Sequence, residues 1–193
     1  MSDADVTLRW LDWWHSGFWR DAHPSWRPTL PFPAPAAALA RVHGAALRRR
    51  LGVTDTPLPR PQPQLLTLLT LDADARALLL TLVAEICTGE TALPGDLKIW
   101  CRRLAKGLRP ESWLPTPPAG QTPAITSLTL LQAHYPDCWP RLRMAFEHDD
   151  VSRCPPSPPA LEPRRLQPLW EAALWQCQRA LAENGEEHQH VAT

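Results

Sequence analysis

The chain has 193 residues and a mass of 21.7 kDa, which is enough for one ordinary domain, or two very small ones, with a hydrophobic core. Its 20 basic side chains equal its 20 acidic side chains, so the formal net charge is zero. This balance argues against a protein that is held to nucleic acid or to an anionic membrane by a broad basic surface.

The amino-acid usage predicts helices. The sequence holds 30 Leu and 25 Ala against 6 Val and 3 Ile. Leu and Ala favour helices, whereas β-branched residues favour strands, so we predict an all-α fold class. The 23 prolines are clustered, and such clusters end helices and stiffen connections. We therefore expect a compact multi-helix domain with Pro-rich connectors.

The first helix is predicted over 3–16, with Gly17 as its stop. Its tryptophan spacing places Trp10, Trp13 and Trp14 on one face. Six further helices are predicted in chain order. The first two lie over 36–51 and 64–71. The third runs from a cap at Asp72 or Asp74 to just before Gly89, and the fourth from Gly95 to a Schellman stop at Gly107. The last two lie over 122–134 and from Pro136 or Pro140 onward.

The last helix is predicted over 167–184 and is expected to end at Gly185. We expect the region 1–185 to form a single helical domain, and 186–193 to be a flexible tail. The Pro-rich linkers are predicted near 54–63, 109–122 and 154–163.

The five cysteines are odd in number and contain no Cys-x-x-Cys pair, a usage that indicates free buried thiols in a reducing compartment. The N-terminus lacks a secretory signal, and the longest apolar stretch, 78–84, is far shorter than the ~20 residues of a membrane span. We therefore expect a soluble, cytoplasmic protein that does not insert into the membrane.

A search for catalytic motifs is negative. The sequence contains no glycine-rich phosphate loop, no nucleophile elbow and no zinc-protease helix motif. His188 and His190 could chelate a metal, but a solvated tail explains them better. Cys138 follows His134 by four residues, and Pro136 between them breaks any shared helical face. We predict no catalytic residue, no cofactor and no metal site.

The first 26 positions hold half of the ten tryptophans. Adjacent helical residues point about 100° apart, so at least one of these indoles should reach a second surface. Core packing is the first interpretation of these tryptophans, and a partner-binding surface is the second, because Trp and Arg are enriched at binding hot spots. The candidate partner-binding residues are Trp13, Trp14, His23, Trp26, Arg27 and Trp113.

Four short segments carry a family resemblance. They are His23-Pro24-Ser25-Trp26-Arg27-Pro28 with Leu30-Pro31, Pro61-Gln62-Pro63-Gln64, Leu108-Arg109-Pro110 with Trp113-Leu114-Pro115, and Cys138-Trp139-Pro140-Arg141-Leu142-Arg143. In these segments the chain resembles the accessory sorting-platform proteins of bacterial type III secretion, the SctK group, whose members include YscK and the plant-pathogen HrpD proteins.

The resemblance implies a non-enzymatic, mainly helical cytoplasmic protein. Proteins of this group bridge the cytoplasmic domain of the inner-membrane ring protein (SctD) to the cytoplasmic pod protein (SctQ), and so help to recruit the export ATPase complex. The expected function is therefore that of an adaptor, peripheral to the inner membrane through the secretion apparatus.

Two alternatives stay open. One is a type III secretion chaperone or regulator that binds secreted substrates, although such chaperones are commonly smaller and acidic. The other is an enzyme whose site is assembled from distant residues, which a deep pocket with converging ionisable groups would indicate.

Overall fold

The computed structural model describes residues 3–29, 37–53, 56–116 and 120–191. Within these ranges every regular element is helical and no strand occurs, so the predicted all-α class is confirmed. None of the described helices combines the length and the apolar character that crossing a bilayer requires.

The α-helices in chain order are α1 (Asp3–Asp12), α2 (Phe18–Arg20), α3 (Ala37–Arg50), α4 (Pro63–Thr70), α5 (Ala73–Thr88), α6 (Gly95–Leu108), α7 (Pro123–His134), α8 (Trp139–Leu142), α9 (His148–Arg153) and α10 (Pro163–Val191). A π-helical segment, Trp13–Gly17, joins α1 to α2. Short 3-10 turns occupy Pro24–Thr29, Pro110–Ser112 and Arg143–Ala145.

The chain folds into two compact units, where the sequence predicts a single domain over 1–185. Unit 1 comprises Met1–Leu66 and Tyr135–Arg153, and unit 2 comprises Thr67–His134 and Cys154–Thr193. Each unit combines two stretches that are distant in sequence. A linear search for linkers does not detect such an arrangement, because the division follows contacts and not composition.

Unit 2 is built around α5, as its apolar circumference predicts. Helices α6, α7 and α10 all pack on α5. Ser127 on α7 donates a hydrogen bond to the Leu80 carbonyl (2.6 Å), and the Cys177 thiol on α10 lies 3.2 Å from the Ala75 carbonyl. Leu79 and Leu82 of α5 are fully buried, so α5 is the core of this unit.

Several predicted helix ends are confirmed. The Asp72 carboxylate accepts a hydrogen bond from the Ala75 amide (2.8 Å) and caps α5. Gly89 ends that helix with a φ of 72°, and Gly52 follows α3 with a φ of 62°. Both glycines adopt the left-handed conformation that other residues rarely accept. Thr122 likewise accepts a hydrogen bond from the Ile125 amide (3.3 Å) at the start of α7.

Two predicted glycine stops are wrong. The chain stays helical through Gly17, whose φ is −60°, and a side chain there would meet Trp13 at 3.4 Å. That distance is ordinary van der Waals contact, and Gly17 has helical backbone angles, so it does not end the helix. Helix α6 continues past Gly107, and the left-handed residue at its end is Arg109, with a φ of 49°. Pro110 follows, and the residue before a proline is disfavoured in the helical region.

The bounds of the last helix are also wrong. It begins at Pro163, earlier than predicted, and runs through Gly185 to Val191. One glycine in a helix costs only about 1 kcal/mol, which flanking helix formers can offset. The residues of the predicted flexible tail up to 191 are therefore helical, and 192–193 lie outside the described residues.

Parts of the predicted linkers lack regular helix, as expected; these are 56–62, 113–116, 120–122 and 154–162. Within the linker predicted near 109–122, Pro110–Ser112 forms a 3-10 turn.

Candidate protein-binding site

The N-terminal tryptophans form the interior of unit 1. The exposed fractions of Trp10, Trp13 and Trp14 are 0, 6 and 3%, and their ring centroids lie 5.1–6.2 Å apart. The expectation that one of them reaches a second surface is wrong. The reason is that other segments cover the helix from more than one side: the indole N–H of Trp10 donates to the Pro59 carbonyl (2.9 Å), and Arg141 covers Trp14.

Arg141 is a buried cation stacked on an aromatic ring. Its guanidinium carbon lies 3.7 Å from the centre of the Trp14 ring and 5.6 Å from that of Phe18. Its Nε donates to the Trp14 carbonyl (3.1 Å), and a second nitrogen lies 3.4 Å from the Thr56 hydroxyl. Only 3% of the residue is exposed. Cation–π attraction and hydrogen bonds offset the cost of removing this charge from water.

A second connection joins the turn at Pro24–Thr29 to the segment after α8. The Trp26 indole N–H donates to the Phe146 carbonyl (2.8 Å), and the His23 amide donates to the Met144 carbonyl (2.8 Å). The Arg143 guanidinium lies 5.7 Å from the centre of the Trp26 ring. Two of the four segments that carry the family resemblance therefore pack on each other inside unit 1.

Ser25 links His23 to His148. The Ser25 hydroxyl lies 2.7 Å from His23 Nδ1, and its oxygen accepts a hydrogen bond from the His148 amide (2.9 Å). The Ser25 amide also donates to the same Nδ1 (3.3 Å), so this nitrogen is an acceptor and we assign the proton to Nε2. The His148 ring meets Trp26 edge-on, with centroids 4.7 Å apart. These contacts fasten α9 to the 3-10 turn.

Some of the predicted partner-binding residues are buried, others are half-buried, and the side chain of one, Arg27, lies outside the described residues. Trp13, Trp14 and Trp26 are buried, so their assignment to an exposed binding surface is corrected: they are core residues. His23 in unit 1 and Trp113 in unit 2 are half-buried. The Trp113 indole N–H donates to the Leu108 carbonyl at the end of α6 (3.0 Å).

The side chain of Arg27 lies outside the described residues, as do those of His188 and His190, so their predicted roles are not examined by the structure.

One exposed tryptophan is missing from the sequence-based candidates. All ten tryptophans lie in the described part of the chain, and among them Trp175 on α10 alone is classed as exposed, at 56%. The Arg179 guanidinium, one helical turn later, lies 5.8 Å from the centre of its ring. We call Trp175 with Arg179 the Trp175 surface.

The sequence contains a signal for this surface. The apolar stripe of α10 passes through Leu166, Trp170, Ala173 and Cys177, which are buried. Trp175 lies two residues from Ala173 and Cys177, and therefore roughly 200° away around the helix axis. A large aromatic residue off the apolar stripe points to solvent, and this offset could have identified it.

The titratable groups of the described residues show few unusual environments. No group of three or more His, Cys, Asp or Glu side chains lies close enough to hold a metal ion in the described ranges. Burial raises the pKa of the Cys87 thiol to about 12, so this thiol stays protonated. Burial also lowers the pKa of His134, and the nearby charge of Glu171 opposes that shift.

Comparison with known proteins identifies no relative, because no protein-family model, curated protein or solved structure matches the chain. The resemblance to the SctK group therefore depends on the four short segments alone.

Arg141→Lys should destabilise unit 1 by roughly 2–4 kcal/mol. Lysine keeps the charge but loses the flat stack on Trp14 and the fork of donors. The measurement is urea unfolding followed by tryptophan fluorescence. Arg60→Lys, at an exposed position of the same unit, is the matched control and should change stability little. Equal stability of the two variants would contradict the role given to Arg141.

Acidification through the ordinary histidine pKa should destabilise the protein through His134. Its pKa is lowered in the folded state, so the unfolded chain takes up the proton at higher pH, and the free energy of unfolding falls as pH drops below about 6.5. His134→Gln should show a smaller loss of stability between about pH 7.5 and 5.5. His15→Gln, at an exposed position, is the control. If His134→Gln loses as much unfolding free energy over this pH range as the original protein, His134 is not the cause.

Proposed function

We propose that this protein is a non-enzymatic adaptor of a bacterial type III secretion system. It bridges the cytoplasmic domain of the inner-membrane ring protein, which is SctD-like, to the SctQ-like pod protein. It works in the cytoplasm, peripheral to the inner membrane through the secretion apparatus. Resemblance to the SctK group in four segments supports this assignment, and two of those segments meet in unit 1, where Arg143 faces the Trp26 ring.

The observation that carries the binding role is the exposure of Trp175. The other nine tryptophans are buried or half-buried within the described chain, whereas more than half of Trp175 remains accessible to water. A tryptophan buries a large area when it is covered, and Trp and Arg dominate the hot spots of protein interfaces. The Trp175 surface therefore suits the apolar centre of a protein–protein contact.

The division into two units fits a bridging role. An adaptor needs a separate binding surface for each of two partners, and two compact units offer two such surfaces. The Trp175 surface belongs to unit 2. We infer that it binds an apolar patch on one of the two secretion proteins.

Trp175→Ala should weaken binding to one partner by about 30-fold, the change that corresponds to losing a hot-spot contact of about 2 kcal/mol. The experiment titrates the purified protein with the cytoplasmic domain of the ring protein and, separately, with the pod protein, both encoded in the same genome. Binding to the second partner should be unchanged, since Trp175 lies on one unit only.

Ile99→Ala is the matched control, because Ile99 is also a large apolar residue of unit 2 and is 51% exposed. It should leave both affinities within about twofold of the original values. The proposal is wrong if neither secretion protein binds, or if exported substrate proteins bind in their place.

A further inference from the structure

The C-terminal end of α3 carries three consecutive arginines, Arg48, Arg49 and Arg50. Consecutive helical side chains project about 100° apart, so the three fan around the last turn. Arg49 and Arg50 are exposed, and Arg48 is half-buried. The chain then closes the helix with hydrogen bonds from the Gly52 amide to the Arg49 carbonyl (3.1 Å) and from the Val53 amide to the Arg48 carbonyl (2.8 Å).

A fourth arginine reaches the same helix end from a distant part of the sequence. The Arg143 guanidinium donates a hydrogen bond to the Leu51 carbonyl, the residue directly after Arg50. A side chain at Gly52 would come within 3.3 Å of the same guanidinium nitrogen, so the approach is close. Arg143 therefore brings another positive charge to the arginines of α3, and we call Arg49, Arg50 and Arg143 the arginine cluster.

The arginine cluster has no acidic partner among the described residues. Some other arginines of the described chain do form ion pairs: Arg20 lies 2.8 Å from Asp12, and Arg164 lies 2.7 Å from Glu162. The cluster forms no ion pair within the described ranges, and the buried Nε of Arg143 has no hydrogen-bond partner there. The three residues carry charge of the same sign at or beside one helix end, and an anion would be attracted to that end.

The half-buried position of Arg143 also favours a negatively charged partner at this helix end. Burial lowers the pKa of its guanidinium, which means that desolvation works against its charge. The helix dipole and the Leu51 carbonyl stabilise part of that charge. A carboxylate near this helix end would stabilise the remainder by charge attraction.

We propose that the arginine cluster of unit 1 binds an acidic segment of a partner protein. The inference goes beyond the proposed function, because it requires clustered carboxylates and no particular secretion component. A protein is favoured over a nucleic acid, since the whole chain has no net charge and the described tryptophans of unit 1 are buried, which leaves no indole for stacking on bases.

The test measures fluorescence anisotropy of a labelled deca-glutamate peptide titrated with the full-length protein. The peptide should bind, and its affinity should fall as salt is raised toward about 0.15 M. Arg49→Gln/Arg50→Gln should weaken binding by about fivefold, which is what two exposed ion pairs together contribute. Both residues are exposed, and circular dichroism verifies that the variant keeps its helix content.

Arg102→Gln/Arg103→Gln is the matched control, because these two arginines are also adjacent, exposed and helical, but lie on α6 of unit 2. It should bind the peptide as tightly as the unmodified protein. The proposal is overturned if deca-glutamate does not bind, if both variants lose affinity equally, or if deca-thymidine or vesicles of anionic lipid bind more tightly than the peptide. None of these outcomes depends on whether the ring or pod protein binds.

Discussion

The guanidinium of Arg141, stacked on the ring of Trp14, is the contact on which unit 1 depends. It joins residues that are 127 positions apart and places a full positive charge in an interior of indole rings. An aromatic face, the Trp14 carbonyl and the Thr56 hydroxyl help to offset the cost of burying this charge. The same contact directs Trp14 inward. The aromatic residues near the N-terminus are therefore needed to hold the unit together, and they are unavailable to a partner.

Local chemistry predicted much of the fold. The all-α class followed from residue usage, the start of α5 followed from the capping carboxylate of Asp72, and the end of α3 followed from Gly52. Two helix ends were not predicted. Gly17 keeps helical backbone angles although glycine often ends a helix, and the helix end at Arg109 depends on the proline that follows it.

The binding site was harder to predict than the fold, because burial depends on long-range contacts. Trp14 and Trp26 are covered by segments more than a hundred residues away in sequence, which include Arg141 and Phe146. Trp175 was detectable, because its position off the apolar stripe of α10 is a local property. The surfaces that we propose for partners are of two kinds, an exposed indole on unit 2 and arginines at one helix end of unit 1. Such a pair of surfaces suits a protein that holds two different partners.

Fluorine NMR of protein labelled with fluorotryptophan tests most directly whether a partner contacts Trp175 or the tryptophans near the N-terminus. The Trp175 resonance is assigned by its loss in Trp175→Phe, and the resonances of Trp10, Trp13 and Trp14 are assigned in the same way. On addition of the ring or pod protein domains, we expect the Trp175 resonance to shift while those of the three N-terminal indoles stay in place, because the latter are already enclosed. A shift of the N-terminal resonances with no change at Trp175 would contradict the account.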